Sequence, residues 1–135
     1  MVGSTPVVSV GLPVYNGAAY LAETLDSLLD QSFQDFELII SDNASTDATA
    51  TICETYMRRD HRVRFYRQPT NLGAPRNYSF LVSQATGRYF KWTSASDRCE
   101  RTFLARCVDV LEREPCAVLC YGNTRLIDAR GAVIV

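Results

Sequence analysis

This 135-residue chain has a single histidine, almost no net charge and no long apolar run. A helix that crosses a bilayer needs roughly 18 or more apolar residues in a row, and no stretch approaches that. Met1 to Pro6 carry neither the basic start nor the apolar stretch of a secretory signal, so the expected compartment is the cytoplasm. With 14 Lys+Arg against 15 Asp+Glu, the formal charge is -1. That balance supplies no footprint for nucleic acid. No Gly-x-Gly-x-x-Gly and no Walker A loop follows the first apolar run, which disfavours nicotinamide enzymes and P-loop nucleotidases. A Gly-x-Ser-x-Gly elbow is missing too, and His61 lies in the charged stretch Arg58-Arg59-Asp60-His61-Arg62, which reads as solvated surface. A Ser-His-Asp hydrolase is therefore disfavoured. Asp42 to Asp47 lacks the ligand periodicity and central glycine of a calcium loop. The cysteines are Cys53, Cys99, Cys107, Cys116 and Cys120, an odd five with no Cys-x-x-Cys among them. Cys107 falls on an apolar helical stripe, and buried free thiols are expected. In a cytoplasmic chain the sequons Asn43-Ala44-Ser45 and Asn77-Tyr78-Ser79 are coincidental.

What is present is an alternation. The chain is 47% hydrophobic, enough to build one core over one domain, 1–135. Val7 to Leu12 is β-branched and apolar and reads as a buried strand stopped by Pro13. Leu21, Leu25, Leu28 and Leu29 mark one helical face, with Asn16 as its expected cap. Glu37 to Ser41 is a second buried strand. Ser45 is the expected cap of a second helix, with Asp47 in its first turn and Ala48, Ile52 and Tyr56 as its apolar face. Val63 to Arg67 suits a strand nearer an edge. Pro75 fits the start of a third helix burying Tyr78, Leu81, Val82 and Ala85, which Gly87 ends. Tyr89 to Trp92 is a fourth strand. Phe103, Leu104, Cys107, Val108 and Leu111 mark a fourth helix, stopped by Pro115. Ala117 to Tyr121 reads as a fifth strand, and Arg125 to Val135 as a hairpin around Ala129-Arg130-Gly131. Repeated β-α units predict an α/β domain with a mostly parallel sheet.

In such sheets ligands bind past the carboxyl ends of the strands, where the strand order reverses. The polar residues collect there: Pro13-Val14-Tyr15-Asn16, then Asp42 to Asp47, then Asn71 to Asn77, then Thr93 to Asp97. Each loop alone is explained by turn and cap chemistry. Four on one rim point to a binding site.

Val8-Ser9-Val10-Gly11-Leu12-Pro13-Val14-Tyr15-Asn16 resembles the opening of family 2 glycosyltransferases of the GT-A fold. Asp42-Asn43-Ala44-Ser45-Thr46-Asp47 resembles the family's Asp-x-x-Ser-x-Asp motif, and Asn71-Leu72-Gly73 with Arg76-Asn77 resembles the third motif. Gly87-Arg88-Tyr89-Phe90-Lys91-Trp92 leads to the place of the Asp-x-Asp metal motif, and Leu126-Ile127-Asp128 with Gly131 is similar to the family's continuation. The resemblance implies a Rossmann-like GT-A fold and an inverting transfer of sugar from a nucleoside diphosphate, expected to be UDP. The acceptor would be a glycan or lipid-linked glycan, with a role in bacterial surface polysaccharide and peripheral membrane association of the complete protein.

By the same resemblance, Pro13, Val14, Tyr15, Asn16, Asp42, Asn43, Asn71, Gly73, Arg76 and Ser96 would bind the nucleotide. Asp42 would accept from the base or ribose, and Arg76 would contact the base or the diphosphate. Asp97 would hold a divalent metal, Mn or Mg, that neutralises the leaving diphosphate. The metal motif departs from the family, with Ser94-Ala95-Ser96-Asp97 where Asp-x-Asp-Asp is usual. One carboxylate binds a hard cation less tightly than two, and a helix-capping role for Asp97 is the alternative. No base for the acceptor hydroxyl is found, so the catalytic residue is expected beyond Val135 and the chain is read as the donor half of a longer protein. Two other classes stay open. One is a non-catalytic nucleotide-binding or interaction module. The other, disfavoured by the missing triphosphate loop, is a nucleotidyltransferase.

Overall fold

The computed structural model describes residues 5–134. Strand β1 runs Val8–Val14, helix α1 Ala18–Leu29, β2 Phe36–Asp42 and α2 Thr49–Arg59. They are followed by β3 Val63–Arg67, α3 Ala74–Gln84, β4 Tyr89–Trp92 and α4 Phe103–Arg113. The four strands are parallel, in the order β3-β2-β1-β4. The chain adds β2 and β3 on one side of β1, then crosses back to place β4 on the other. Right-handed crossovers in opposite directions put their helices on opposite faces. Accordingly α1 and α2 pack together, while α3 packs on β1 and β2 from the other face. The order reverses at β1, which makes the carboxyl ends of the central strands the expected site.

Val8, Val10, Leu12 and Val14 alternate into one core with Leu38 and Ile40, roofed by Leu21, Leu25, Leu28, Cys53 and Tyr56. Leu104 of α4 closes the same core. Tyr56 is a polar pin in this layer: its hydroxyl donates to Asp26 Oδ1 at 2.6 Å, and burial, together with that carboxylate, pushes the phenol up to about 12. Tyr56→Phe is expected to lower stability by about 1–2 kcal/mol, read from chemical denaturation.

Five expectations are corrected. Strand β1 continues through Pro13 rather than stopping there. The odd residues of β1 bond toward β4, and that ladder ends at Gly11 opposite Trp92, so Pro13 lacks an N–H only where no partner remains. Helix α3 buries Asn77 and Leu81 and leaves Tyr78 and Val82 exposed. Ala117 to Tyr121 forms no strand; Val118 is 97% and Leu119 74% exposed. The hairpin expected over Arg125 to Val135 is reduced to one antiparallel bridge, Ile127 to Val133, and Val135 lies outside the described residues. Of the free thiols only Cys53 is buried; Cys99, Cys107 and Cys120 are half-buried and Cys116 is exposed. His61 is exposed, as expected.

On the α3 face, Glu37 is the centre of a polar knot. Its Oε1 accepts from the Ser9 hydroxyl at 2.6 Å and from Thr86 N and Oγ1, both at 2.8 Å. Its Oε2 pairs with Arg64 at 2.7 Å. Gly87 lies so close to β1 that a Cβ there would fall 2.6 Å from Ser9 N and 2.7 Å from the carbonyl carbon of Val8. The turn into β4 is thus bound directly to the sheet.

Candidate nucleotide-binding site

The loops after β1 and β2 brace one another. Asn16 N donates to Ser45 Oγ at 2.8 Å, and Thr46 N returns a bond to Asn16 Oδ1 at 2.8 Å. Neither residue caps a helix as expected: α1 begins after Gly17 and α2 after Ala48. One residue before the Ala48 cap position, Asp47 Oδ1 accepts from Thr49 N at 3.0 Å while its Oδ2 accepts from Ala18 N at 3.1 Å. One carboxylate therefore answers free N–H groups at both helix starts. Hydrogen bonds from Thr49 hold its carboxyl below the usual range. Asn16 and Ala44 have positive φ, 51° and 62°. For Ala44 that left-handed backbone costs about 1 kcal/mol, a strain concentrated in the rim loops.

Strand alternation then separates Asp42 from Asn43. Ser41 faces α3, donating its hydroxyl to Asn77 Oδ1 at 2.6 Å and accepting at its carbonyl from Asn77 Nδ2 at 3.1 Å. Asp42 consequently faces the other way, into the layer under α2, and is fully buried. Burial first, and then the Asp42 charge, push the Cys53 thiol up to about 12. Asp42 Oδ1 accepts from Ser45 N at 3.0 Å; Oδ2 has no hydrogen-bond partner among the described residues, and Arg67 Nε stands 3.6 Å away.

Asn43 instead meets the loop after β3. Its Nδ2 donates to Asn71 Oδ1 at 2.9 Å, and its Oδ1 accepts from Leu72 N at 2.8 Å. Asn71 Oδ1 also accepts from Gly73 N at 2.9 Å. Gly73 has a φ of 77°, a conformation that favours glycine at the start of α3. These residues open a cleft of about 370 Å³ lined by Pro13, Val14, Tyr15, Asn43, Asn71 and Gly73, with Ala74, Asn77 and Tyr78 of α3. Six of the expected nucleotide-binding residues converge there. Asn16 serves the loop brace, Arg76 is exposed outside the lining, and Asp42 lies beneath it.

Ser96 and Asp97 line a second cleft of about 360 Å³, between Tyr20, Glu23 and Thr24 of α1 and the segment 124–129. Asp97 Oδ2 accepts from Ser94 N at 3.2 Å, closing its own turn rather than capping α4, which starts after Thr102. Among the described residues no three His, Cys, Asp or Glu side chains converge. A hard divalent cation takes several oxygen ligands, and this loop offers one carboxylate and two hydroxyls. Such a cation fits there only if the ligand it bridges supplies the other oxygens.

A model of the family described as glycosyl transferase family 2 matches residues 9–131. The chain belongs to that family. An uncharacterized glycosyltransferase of Rickettsia typhi is 32% identical over 127 residues, 93% of this chain and 39% of that protein. A putative teichuronic acid biosynthesis glycosyltransferase of Bacillus subtilis, TuaG, is 33% identical over 112 residues, 83% of this chain and 44% of that one. The chain thus spans less than half the length of these relatives. Among solved structures, Staphylococcus aureus TarS in complex with UDP superposes with a TM-score of 0.75 at 28% identity, over 80% of this chain and 32% of that one. The mannosyltransferase PcManGT of Pyrobaculum calidifontis, in complex with GDP-Man and Mn2+, superposes with a TM-score of 0.72 at 25% identity, over 81% and 33%. The four-stranded parallel sheet with its flanking helices is therefore a GT-A fold. No helix among the described residues is long and apolar enough to cross a membrane.

The sequence missed which of Asp42 and Asn43 faces the cleft. Along β2 each face mixes polar and apolar residues, Glu37, Ile39 and Ser41 on one and Leu38, Ile40 and Asp42 on the other, so the run carries no clean alternation from which the strand's parity can be read. It also missed Asn77, whose burial answers Ser41, and Tyr78, whose exposed ring forms part of the cleft wall.

Proposed function

We propose that this chain is the donor-binding part of an inverting glycosyltransferase that takes a UDP-sugar and delivers the sugar to a hydroxyl of a glycan or lipid-linked glycan. The observation that carries this reading is the cleft at the carboxyl ends of β1 and β2, where Tyr15, Asn43, Asn71 and Gly73 meet. An exposed tyrosine ring beside two amides suits a nucleobase, which has an apolar face and a hydrogen-bonding edge. TarS holding UDP on a superposable core supports uridine, and the kinship to TuaG supports a role in surface polysaccharide. Asp42 organises the loop from beneath. Arg76, exposed at the start of α3, is available to the diphosphate. A divalent metal, Mn or Mg, would be shared between Asp97 and the phosphate oxygens, where it would offset charge on the leaving diphosphate. The base that deprotonates the acceptor is assigned to the rest of the enzyme, which works in the cytoplasm at the membrane surface.

Titration calorimetry with UDP, GDP and UTP, each with and without Mn, tests the reading. UDP is expected to bind best and to tighten with metal. Ser96→Asp, which places a second carboxylate beside Asp97, is expected to tighten Mn binding in the presence of UDP about tenfold and to weaken UDP binding without metal. Absence of binding by any nucleotide would replace this reading with a non-catalytic interaction module.

A further inference from the structure

After α4 the chain doubles back along the helix. Ala117 N donates to the Glu114 carbonyl at 2.8 Å, and by Gly122 the chain has returned to the first residue of α4, where a Cβ would fall 3.1 Å from the Phe103 ring. Residues 117–122 form a strap that joins no strand. From Arg113 to Leu126 every residue is exposed except Ala117 and Cys120, which are half-buried. Four helical residues rise about 6 Å, and two extended residues span about 7 Å. With Gly122 seated on Phe103, Cys120 therefore lies abreast of Cys107 on the next turn of α4. The two thiols meet there: that of Cys107 is hydrogen-bonded to Cys120. Phe103 and Val108 on either side pack against the core, so this part of α4 is a fixed wall.

We propose that Cys107 and Cys120 are a modification site: a dithiol that a low-molecular-weight disulfide, such as oxidised glutathione, converts to a disulfide that staples the strap to α4. Cys120, on the strap, reacts first. Its thiolate attacks one sulfur of the reagent, forms a mixed disulfide and releases one glutathione thiolate. Burial and the hydrogen bond to Cys120 push the Cys107 thiol up to about 11, so it is a poor opening nucleophile. It acts second, within the protein, where proximity replaces concentration. It gives its proton to solvent, attacks the Cys120 sulfur and releases the second glutathione thiolate. Two protein thiols are oxidised, one disulfide of the reagent is reduced, and two molecules of glutathione leave. Excess reduced glutathione reverses the exchange. The strap continues into residues 124–129, a wall of the cleft that holds Ser96 and Asp97, so the staple fixes one end of that wall.

The test is peptide mapping of the folded 135-residue chain after incubation with oxidised glutathione at neutral pH. The expected product joins the peptide of Cys107 to that of Cys120, and the link survives in Cys116→Ser, which removes an exposed competitor. Cys107→Ser is expected to stop at a mixed disulfide between glutathione and Cys120, and Cys120→Ser to form no internal link. In denaturant the wild-type thiols should pair without this preference, since the fold sets them abreast. Closure is also read mechanically. Chymotrypsin cuts after the exposed Tyr121 when the strap lifts from α4, and the disulfide should slow that cut about tenfold, with reduced glutathione restoring the rate. A mixed disulfide on Cys120 that persists in wild type overturns the proposal, as does a link through Cys99 or Cys116 in place of the expected pair. An equal preference in denaturant would assign the link to closeness in sequence and overturns it too. So does a linked protein that is cut after Tyr121 as fast as the reduced one.

Discussion

Glu37→Ala is expected to cost the fold about 3–4 kcal/mol, more than any other polar substitution on the α3 face. The residue is buried, yet each of its oxygens is used. Removing it leaves the Ser9 hydroxyl, the N–H and hydroxyl of Thr86 and the Arg64 guanidinium without their acceptor. An unsatisfied buried group costs about 1–3 kcal/mol, and the half-exposed Arg64 recovers part of its loss in water. Glu37→Gln keeps the shape and one oxygen but loses the charge opposite Arg64, and should cost about half as much. Burial raises the Glu37 carboxyl, but hydrogen bonds from Ser9, Arg64 and Thr86 outweigh it and hold the carboxyl below its ordinary value of 4.5. A carboxyl depressed in the folded state contributes stability that is complete above 4.5 and is lost as pH falls through the lower folded value. Denaturation curves measured from neutral pH downward should therefore converge for wild type and Glu37→Gln in acid. Parallel curves would remove Glu37 from the acid transition.

The order of elements was legible because each strand and helix carries a strong local signal: β-branched runs for β1 and β2, leucine spacing for α1, and proline at the start of α3. The rim loops were legible for the same reason, since turn and cap residues have few alternatives. What stayed hidden depends on partners distant in sequence. Ala117 to Tyr121 has strand composition, but a strand exists only when its N–H and C=O groups find another strand, and in this structure the segment finds none. Ser45 has the chemistry of a cap, yet it bonds the N–H of Asn16, 29 residues away. Asp42 and Asn43 are adjacent in sequence and point to opposite sides of the sheet. Only the pairing of Ser41 with Asn77 reveals which of the two opens on the cleft. Asp42 is buried and accepts from Ser45 N within the loop, and its neighbour Asn43 lines the cleft.

Gln31→Ala is expected to lower stability by about 3 kcal/mol and to release α4 from α1 before the sheet itself unfolds. Nothing in the sequence marks this glutamine, one polar residue beyond the end of α1. In the fold it is fully buried and joins two segments about seventy residues apart. Its Nε2 donates to the carbonyls of Glu100 at 2.8 Å and Ser27 at 3.2 Å, and its Oε1 accepts from Leu104 N at 3.0 Å. Ser32 N donates to the Arg101 carbonyl at 2.8 Å, and Cys99 N to Ser27 Oγ at 3.1 Å, in the same seam. The free N–H at the start of α4 thus has a side-chain partner from the turn after α1 rather than a local cap. Alanine leaves that N–H unpaired, takes one of two donors from the Glu100 carbonyl, which keeps Phe103 N at 2.9 Å, and opens a cavity the size of an amide; an unsatisfied backbone group costs about 1–3 kcal/mol. Gln31→Glu separates the two halves of the contact. A carboxylate still accepts from Leu104 N but repels the carbonyls that the amide nitrogen served, so it should cost nearly as much as alanine. Hydrogen exchange gives the local readout: the amide of Cys99 should lose protection in both variants and that of Leu104 in Gln31→Ala, while those of Val10 and Leu38 in the central strands keep it. A loss below about 1 kcal/mol, with Leu104 still protected, would mean that water fills the place of the amide and that the clamp is dispensable.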